Sequence, residues 1–130
     1  MPDRLAARPG LGRHAEGLAA AFLEGLGLRI VARNWRQYGP EPGELDLVAD
    51  DGGTCVFVEV RSRTGEALVH PLETITAQKR ARVIRAARLY LAAEAPSAAG
   101  YRFDVVAVTF PEGDRPPEIV HLPNAFEVGS

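Results

Sequence analysis

Residues 43–63 contain two apolar runs joined by a turn, and this stretch constrains the fold more than any other. The first run reads GELDLVA and the second reads TCVFVEVRSR, and between them lie Asp50, Asp51, Gly52 and Gly53. Runs rich in valine, leucine and phenylalanine that flank an Asp/Gly cluster are typical of a β-hairpin. Two antiparallel strands are therefore predicted here.

The predicted hairpin carries acidic side chains among apolar ones. Side chains alternate faces along a strand, so the register decides which residues of the two strands meet. A two-residue Asp51–Gly52 loop would place position 46 opposite 57, whereas a four-residue loop over 51–54 would place it opposite 59. In either register Asp46 and Glu59 share one face, within reach of one ligand.

Carboxylates in such an apolar setting need a compensating partner, because a buried carboxylate without one costs several kcal/mol. A divalent cation is one such partner. Arg61, which shares a face with Glu59, is another, and a buried ion pair of Arg61 with Glu59 or Asp46 would involve no catalysis. The residue types and spacing leave both interpretations open.

Length and composition limit the class of protein. The 130 residues are enough for one domain, and 46% hydrophobic with 25% charged residues is typical of a folded protein. There is no run of about 18 apolar residues and no apolar core of a secretion signal near the N-terminus, so a cytoplasmic protein without a membrane span is expected. The lone Cys55 excludes an internal disulfide and a thiolate metal site.

Apolar periodicity divides the chain into helices and strands. Helices are predicted at 12–26 and 74–93, and strands at 28–35, in the two arms of the hairpin, at 101–110 and at 118–122. The order is therefore α-β-β-β-α-β-β. A helix that connects strands covers one face of a sheet, so we expect an α/β fold with one mixed central sheet flanked by helices.

The domain boundaries follow from proline, glycine and apolar content. Residues 1–10 are expected to form a flexible arm, residues 11–123 a single domain, and residues 124–130 a C-terminal tail.

The second predicted helix is strongly basic on one side. It has five cations within ten residues, from Lys79 to Arg88, and no acid between Ala77 and Ala93. Like charges one helical turn apart repel by a few tenths of a kcal/mol per pair, so an anionic partner would stabilise this surface. The net charge of −2 argues against a strongly basic clamp and allows a local basic patch. A solvated face and a phosphate-binding face both remain open.

Five segments match a known family in order and with compatible spacing. They are GRHAEGLA at 12–19, ARNWR at 32–36, GELDLV at 43–48, VFVEVRSR at 56–63 and TAQKR at 76–80. On these segments the chain resembles the YraN-like family of small bacterial proteins. That family is similar in fold to the PD-(D/E)XK nuclease superfamily, which includes Holliday junction resolvases and restriction endonucleases. The resemblance implies a restriction-endonuclease-like sheet.

The resemblance also implies a role for each matching position. Glu16 corresponds to the acid of the first helix, Asp46 to the metal-binding aspartate, and Glu59 to the acid of the E-x-K motif. These three side chains and the carbonyl of Val60 would hold Mg²⁺ or Mn²⁺. Arg61 stands where the motif has lysine, and arginine keeps the charge but cannot accept a proton at physiological pH.

The implied activity is metal-dependent hydrolysis of DNA phosphodiester bonds, with structured DNA as one class of substrate. Arg61 would stabilise negative charge on the reacting phosphate. The residues expected to hold flanking phosphates are Lys79, Arg82, Arg63 and Arg36. Cleavage of a four-way junction would need two symmetric sites, and therefore a homodimer.

Two other functions are consistent with the same residues. A non-catalytic nucleic-acid-binding module that keeps the nuclease fold is favoured by Arg61 in place of lysine and by the acid-free basic helix. A protein-interaction adaptor is the third, in which the acids and Arg61 form an internal ion pair. Metal binding distinguishes the adaptor from the nuclease.

Overall fold

Two α-helices and five β-strands account for most of the described chain. The computed structural model describes residues 11–65 and 70–128. In chain order the elements are α1 (Leu11–Gly25), β1 (Arg29–Gln37), β2 (Gly43–Asp51), β3 (Thr54–Thr64), a 3₁₀ turn (Pro71–Thr74), α2 (Ala77–Glu94), β4 (Gly100–Phe110) and β5 (Glu118–Phe126). The predicted α/β class and the order α-β-β-β-α-β-β are confirmed. The predicted arm, residues 1–10, lies outside the described residues.

The strands form one mixed sheet in the order β1-β2-β3-β4-β5. β3 and β4 run parallel, and the other neighbouring pairs are antiparallel. A parallel pair needs a crossover connection, and α2 provides it. β3 is therefore the middle strand of the sheet, which places Glu59 in the sheet interior.

The two helices are buried in different core clusters that lie on opposite faces of β3. Ala19 of α1 belongs to one cluster with Val58, and Ala86 of α2 belongs to the other with Phe57. Glu59 is two residues after Phe57 and so faces the α2 side. Neither helix of the described chain is long and apolar enough to cross a membrane.

The hairpin turn differs from both predicted loops. Asp51 pairs with Thr54, so the loop consists of Gly52 and Gly53, whose φ angles are 58° and 99°. Two positive φ angles match the twist of a hairpin and favour glycine at both positions. Leu47 pairs with Val58, which is the register that puts position 46 opposite 59. The pairing of 46 with 57 was therefore wrong.

The last strand is longer than predicted. β5 continues past the predicted end at residue 122 to Phe126, whose ring stacks on Phe103 with centroids 5.0 Å apart. Pro123 lies within this strand, and proline is tolerated there because β5 is an edge strand, one side of which makes no ladder bonds.

Asp104 is buried in β4 with its hydrogen-bonding capacity used. It is 0% exposed and accepts hydrogen bonds from Arg102, His121 and the N–H of Asn124. Burial alone would raise the pKa of Asp104, but these donors outweigh it and hold the pKa below its usual range. These contacts give Asp104 a structural role that joins β4 to β5.

Candidate functional site

Three acidic side chains from three different elements come together. Glu16 lies in α1, Asp46 near the start of β2, and Glu59 in the middle of β3. The Asp46 carboxyl lies within hydrogen-bonding reach of both Glu16 and Glu59. Asp46 is thus the centre of the acidic cluster, which we define as these three residues. Their convergence is present in the structure, and their roles in binding and catalysis stay predictions.

Asp46 accepts a backbone hydrogen bond where the pairing of β2 and β3 ends. The recorded pairing runs as far as Leu47 and Val58. Beyond it, the N–H of Val60 donates to Oδ2 of Asp46 at 2.8 Å. This bond favours the ionised form of Asp46 and holds its carboxyl beside Glu59.

Burial makes the acidic cluster a poor environment for several negative charges. Glu59 is 4% exposed, and burial together with the charge of Asp46 raises the pKa of Glu59 to about 8. Burial also raises the pKa of Asp46, although the Val60 N–H, Lys79 and a hydrogen bond from Glu59 oppose the shift. With a pKa of about 8, Glu59 keeps its proton at neutral pH and can donate it in a hydrogen bond to Asp46.

Two cations flank Glu59. Nζ of Lys79 lies 3.6 Å from Oε1 of Glu59, and Nη1 of Arg61 lies 3.7 Å from the same oxygen. Both distances exceed those of ordinary hydrogen bonds, so the contacts are mainly electrostatic. Lys79 is in the first turn of α2, where Thr76 caps the helix by accepting the Lys79 N–H. The sequence predicted Lys79 as a phosphate contact but did not predict its approach to Glu59.

Asn34 is a member of the site that sequence reasoning missed. Burial and the charge of Asp46 raise the pKa of Glu16, and the side chain of Asn34, within hydrogen-bonding reach, opposes that shift. Asn34 has a φ of 50° inside β1, a left-handed conformation that asparagine adopts more readily than most residues. An asparagine within a predicted strand, inside the motif segment ARNWR, is the signal that could have identified it.

The chemistry of the acidic cluster suits a hard divalent cation. Its side chains offer only oxygen, the donor that Mg²⁺ prefers, and a cation would offset the raised pKa values. The described residues contain no group of three or more His, Cys, Asp or Glu side chains arranged to hold a metal ion. The groups of this chain that could hold a cation are Asp46, Glu59 and the Val60 carbonyl, with water in the remaining positions and between the cation and Glu16.

A basic cleft of about 260 Å³ lies beside the acidic cluster. It is bounded by the loop between β1 and β2 and by α2, and its cations are Arg36, Lys79, Arg82 and Arg85. Three of these four were predicted to hold phosphates. Lys79 lines the cleft and also approaches Glu59. Lys79 therefore links the basic cleft with the acidic cluster.

Arg63, the remaining predicted phosphate contact, lies on β3 two residues beyond Arg61. Within the described ranges, Nε of Arg61 and Nε of Arg63 are buried and have no hydrogen-bond partner. An N–H group that is buried without an acceptor is costly. Both side chains would therefore gain from an anionic oxygen near the end of β3.

Comparison with known proteins identifies relatives of this chain. A UPF0102 protein of Pseudomonas aeruginosa is 47% identical over 128 residues, covering 98% of this chain and 99% of that protein. One of Nocardia farcinica is 46% identical over 124 residues, covering 95% and 94%. One of Nitratidesulfovibrio vulgaris is 43% identical over 122 residues, covering 94% and 87%.

A family model gives the same result. The model described as "Uncharacterised protein family UPF0102" matches residues 15–108, a range that contains the acidic cluster and the cations of the basic cleft. The resemblance to the YraN-like family that was identified from the motifs is thereby confirmed. From this match and the identities over nearly the whole chain, we conclude that the protein belongs to family UPF0102.

Proposed function

We propose that this protein is a divalent-metal-dependent nuclease that hydrolyses phosphodiester bonds in DNA. The observation that carries the proposal is the meeting of the half-buried Asp46 carboxyl with the buried Glu59 carboxyl on the adjacent strand, next to the basic cleft. Without a cation, Glu59 keeps its proton at neutral pH beside Asp46, and a bound divalent cation would favour the ionised form of both carboxyls. The likeness of the motifs to the PD-(D/E)XK nuclease superfamily supports the same assignment.

The acidic cluster would bind the metal. Asp46, Glu59 and the carbonyl of Val60 would be direct ligands, and Glu16 would act through a water. When bound, the cation would polarise the phosphate and lower the pKa of the attacking water. The Val60 N–H, which donates to Oδ2 of Asp46, would keep that carboxylate oriented.

The flanking cations would act on the phosphate. Arg61 and Lys79, which both approach Glu59, would offset negative charge that develops as the phosphodiester bond breaks. Lys79 also supplies an ammonium group from α2, at a site where the motif lysine is replaced by Arg61. Arg82 and Arg36 would hold neighbouring phosphates in the basic cleft.

A cleavage assay tests the proposal. The protein is incubated with branched, single-stranded and duplex DNA, each with Mg²⁺ or Mn²⁺. Asp46→Asn and Glu59→Gln should abolish cleavage, because each removes one of the two carboxylates that would bind the metal. Asp50→Asn is the matched control, since Asp50 is on the same strand and faces Arg29 at 4.0 Å instead. Cleavage that persists in Asp46→Asn, or that needs no divalent cation, would contradict the proposal.

A non-catalytic nucleic-acid-binding module is the second candidate. The observation in its favour is that Arg61 and Lys79 already accompany Glu59, so that the cluster has internal counter-charges. This function predicts DNA binding that is independent of metal, weakens steeply with salt and is lost in the double variant Lys79→Ala, Arg82→Ala. Binding that this double variant leaves intact would count against it.

Location and assembly are part of the nuclease proposal. DNA and Mg²⁺ are both present in the bacterial cytoplasm, where we expect the protein to act. Symmetric cleavage of a four-way junction would need two copies of the site, and therefore a homodimer. Sedimentation with a junction should show two chains per DNA, and a complex with one chain would exclude this mode of cleavage.

A further inference from the structure

Tyr38 is an exposed aromatic side chain inside the basic cleft. It exposes 81% of its surface, more than any other large apolar or aromatic side chain that the described ranges leave exposed. It lies in the loop between β1 and β2 and lines the cleft together with Arg36. An exposed ring beside cations is the arrangement with which proteins stack the bases of single strands.

The loop that carries Tyr38 is held against α2. Nε2 of Gln37 donates to the carbonyl of Glu41 at 3.1 Å, which closes the loop on itself. At its end, Gly43 packs so tightly on α2 that a Cβ there would lie 3.2 Å from Cβ of Ala86. Tyr38 is therefore presented from a loop anchored at the rim of the cleft.

The opposite wall of the cleft is a row of cations on α2. Lys79, Arg82 and Arg85 are three residues apart, and at the rise of an α-helix the row is about 9 Å long. Lys79 is at the end of the row that approaches Glu59. A strand whose phosphates follow this row would run past Tyr38 toward the acidic cluster.

We propose that the basic cleft binds single-stranded DNA next to the cleavage site, with an unpaired base stacked on Tyr38 and the adjoining phosphates on Arg82 and Arg85. A base in a duplex is stacked on both faces and must leave the helix before it can meet an aromatic ring. Tyr38 would therefore select unpaired segments. This inference rests on the proposed function for the identity of the polymer, and it names the unpaired strand as the substrate.

The test measures binding without divalent cations, so that it is independent of hydrolysis. Fluorescence anisotropy in EDTA at low salt compares the wild type with Tyr38→Ala and Tyr38→Phe on a labelled oligothymidine of about 12 nucleotides. An abasic strand of the same length keeps the phosphates and lacks the bases, and a matched duplex completes the set. Tyr101→Ala is the control, because Tyr101 is 50% exposed and lines a different cavity.

We expect Tyr38→Ala to weaken binding of oligothymidine by at least about fivefold, the loss typical of one stacked base, and Tyr38→Phe to keep wild-type affinity. Binding of the abasic strand should be the same in the wild type and Tyr38→Ala. The inference would be overturned if Tyr38→Ala lost as much affinity for the abasic strand as for oligothymidine, or if it bound oligothymidine as tightly as the wild type. It would also be overturned if the wild type bound the duplex more tightly than the single strand. Base-dependent binding by a protein that cleaves no DNA would support it and contradict the proposed hydrolysis.

Discussion

Replacement of Glu59 by glutamine should stabilise the protein and remove part of its pH dependence. In the native state, burial and the charge of Asp46 raise the pKa of Glu59 from 4.5 to about 8. Between these two values the native protein keeps a proton that the unfolded chain has released. The free energy of unfolding of the wild type therefore falls as the pH rises through this interval. Glutamine has nearly the same shape and does not ionise.

The size of the effect follows from the two pKa values. One proton changes the free energy of unfolding by about 1.4 kcal/mol per pH unit. Over the interval from 4.5 to about 8 the loss is about 5 kcal/mol, of which about 3 kcal/mol is reached by pH 7. The free energy of unfolding of Glu59→Gln should thus exceed that of the wild type by about 3–5 kcal/mol near pH 8. This difference should vanish near pH 4.5, the ordinary pKa of glutamate.

Urea unfolding in EDTA, at several values between about pH 5 and about pH 8.5, measures this difference. The emission of Trp35, the single tryptophan, should report unfolding because its ring packs edge-on against Tyr90 at 5.3 Å. Glu44→Gln is the control, since Glu44 is an exposed residue on the neighbouring strand that faces Arg36 at 3.6 Å. Stability curves of the wild type and Glu59→Gln that run parallel across this range would refute the reasoning.

Other substitutions test the packing around the site. Asp104→Asn should lower the free energy of unfolding by about 3 kcal/mol, because it removes the buried carboxylate that pairs with Arg102 and leaves the guanidinium without its partner charge. The pKa of Asp104 is lower in the native state than in the unfolded chain. The stabilisation by ionised Asp104 is therefore complete above the pKa of the unfolded chain and is lost as the pH falls through the native pKa. Urea titrations at neutral and acid pH would measure this loss. Gly43→Ala should cost about 1–3 kcal/mol in thermal unfolding, as its Cβ would lie 3.0 Å from Leu89. Gly17→Ala in open space on α1 should add about 1 kcal/mol, whereas Gly53→Ala at a φ of 99° should cost about 1–2 kcal/mol. If Gly17→Ala and Gly53→Ala changed the free energy of unfolding in the same direction, the helical conformation of Gly17 or the positive φ of Gly53 would be contradicted.

Most of the fold could be predicted because its signals are local. The apolar spacing of α1 and the runs on either side of Gly52 and Gly53 each depend on residues close in sequence. The end of β5 could not be predicted in this way. Proline often ends a strand, and only the position of β5 at the edge of the sheet explains why Pro123 does not end this one.

The acidic cluster and the approach of Arg61 to Glu59 were predicted from the sequence, but two other neighbours of the cluster were not. The approach of Lys79 to Glu59 depends on how α2 crosses the sheet, which no local pattern specifies. The same is true of Asn34, whose contact with Glu16 joins the first strand to the first helix. Tyr38 reads in the sequence as an ordinary loop residue, and its place opposite the cations becomes evident only from the packing of the loop on α2.

Calorimetric titration of Mn²⁺ into metal-free protein tests most directly whether Asp46 and Glu59 form a divalent-cation site. We expect a single-site isotherm for the wild type and for Asp50→Asn, and an affinity lower by at least about tenfold in Asp46→Asn and in Glu59→Gln. Because the cation must displace the proton of Glu59, binding should strengthen from about pH 6 to about pH 8 and release protons. The account would be contradicted if the wild type bound no Mn²⁺, or if the two variants bound it as tightly as the wild type. The charge of the acidic cluster would then be balanced by Arg61 and Lys79 alone.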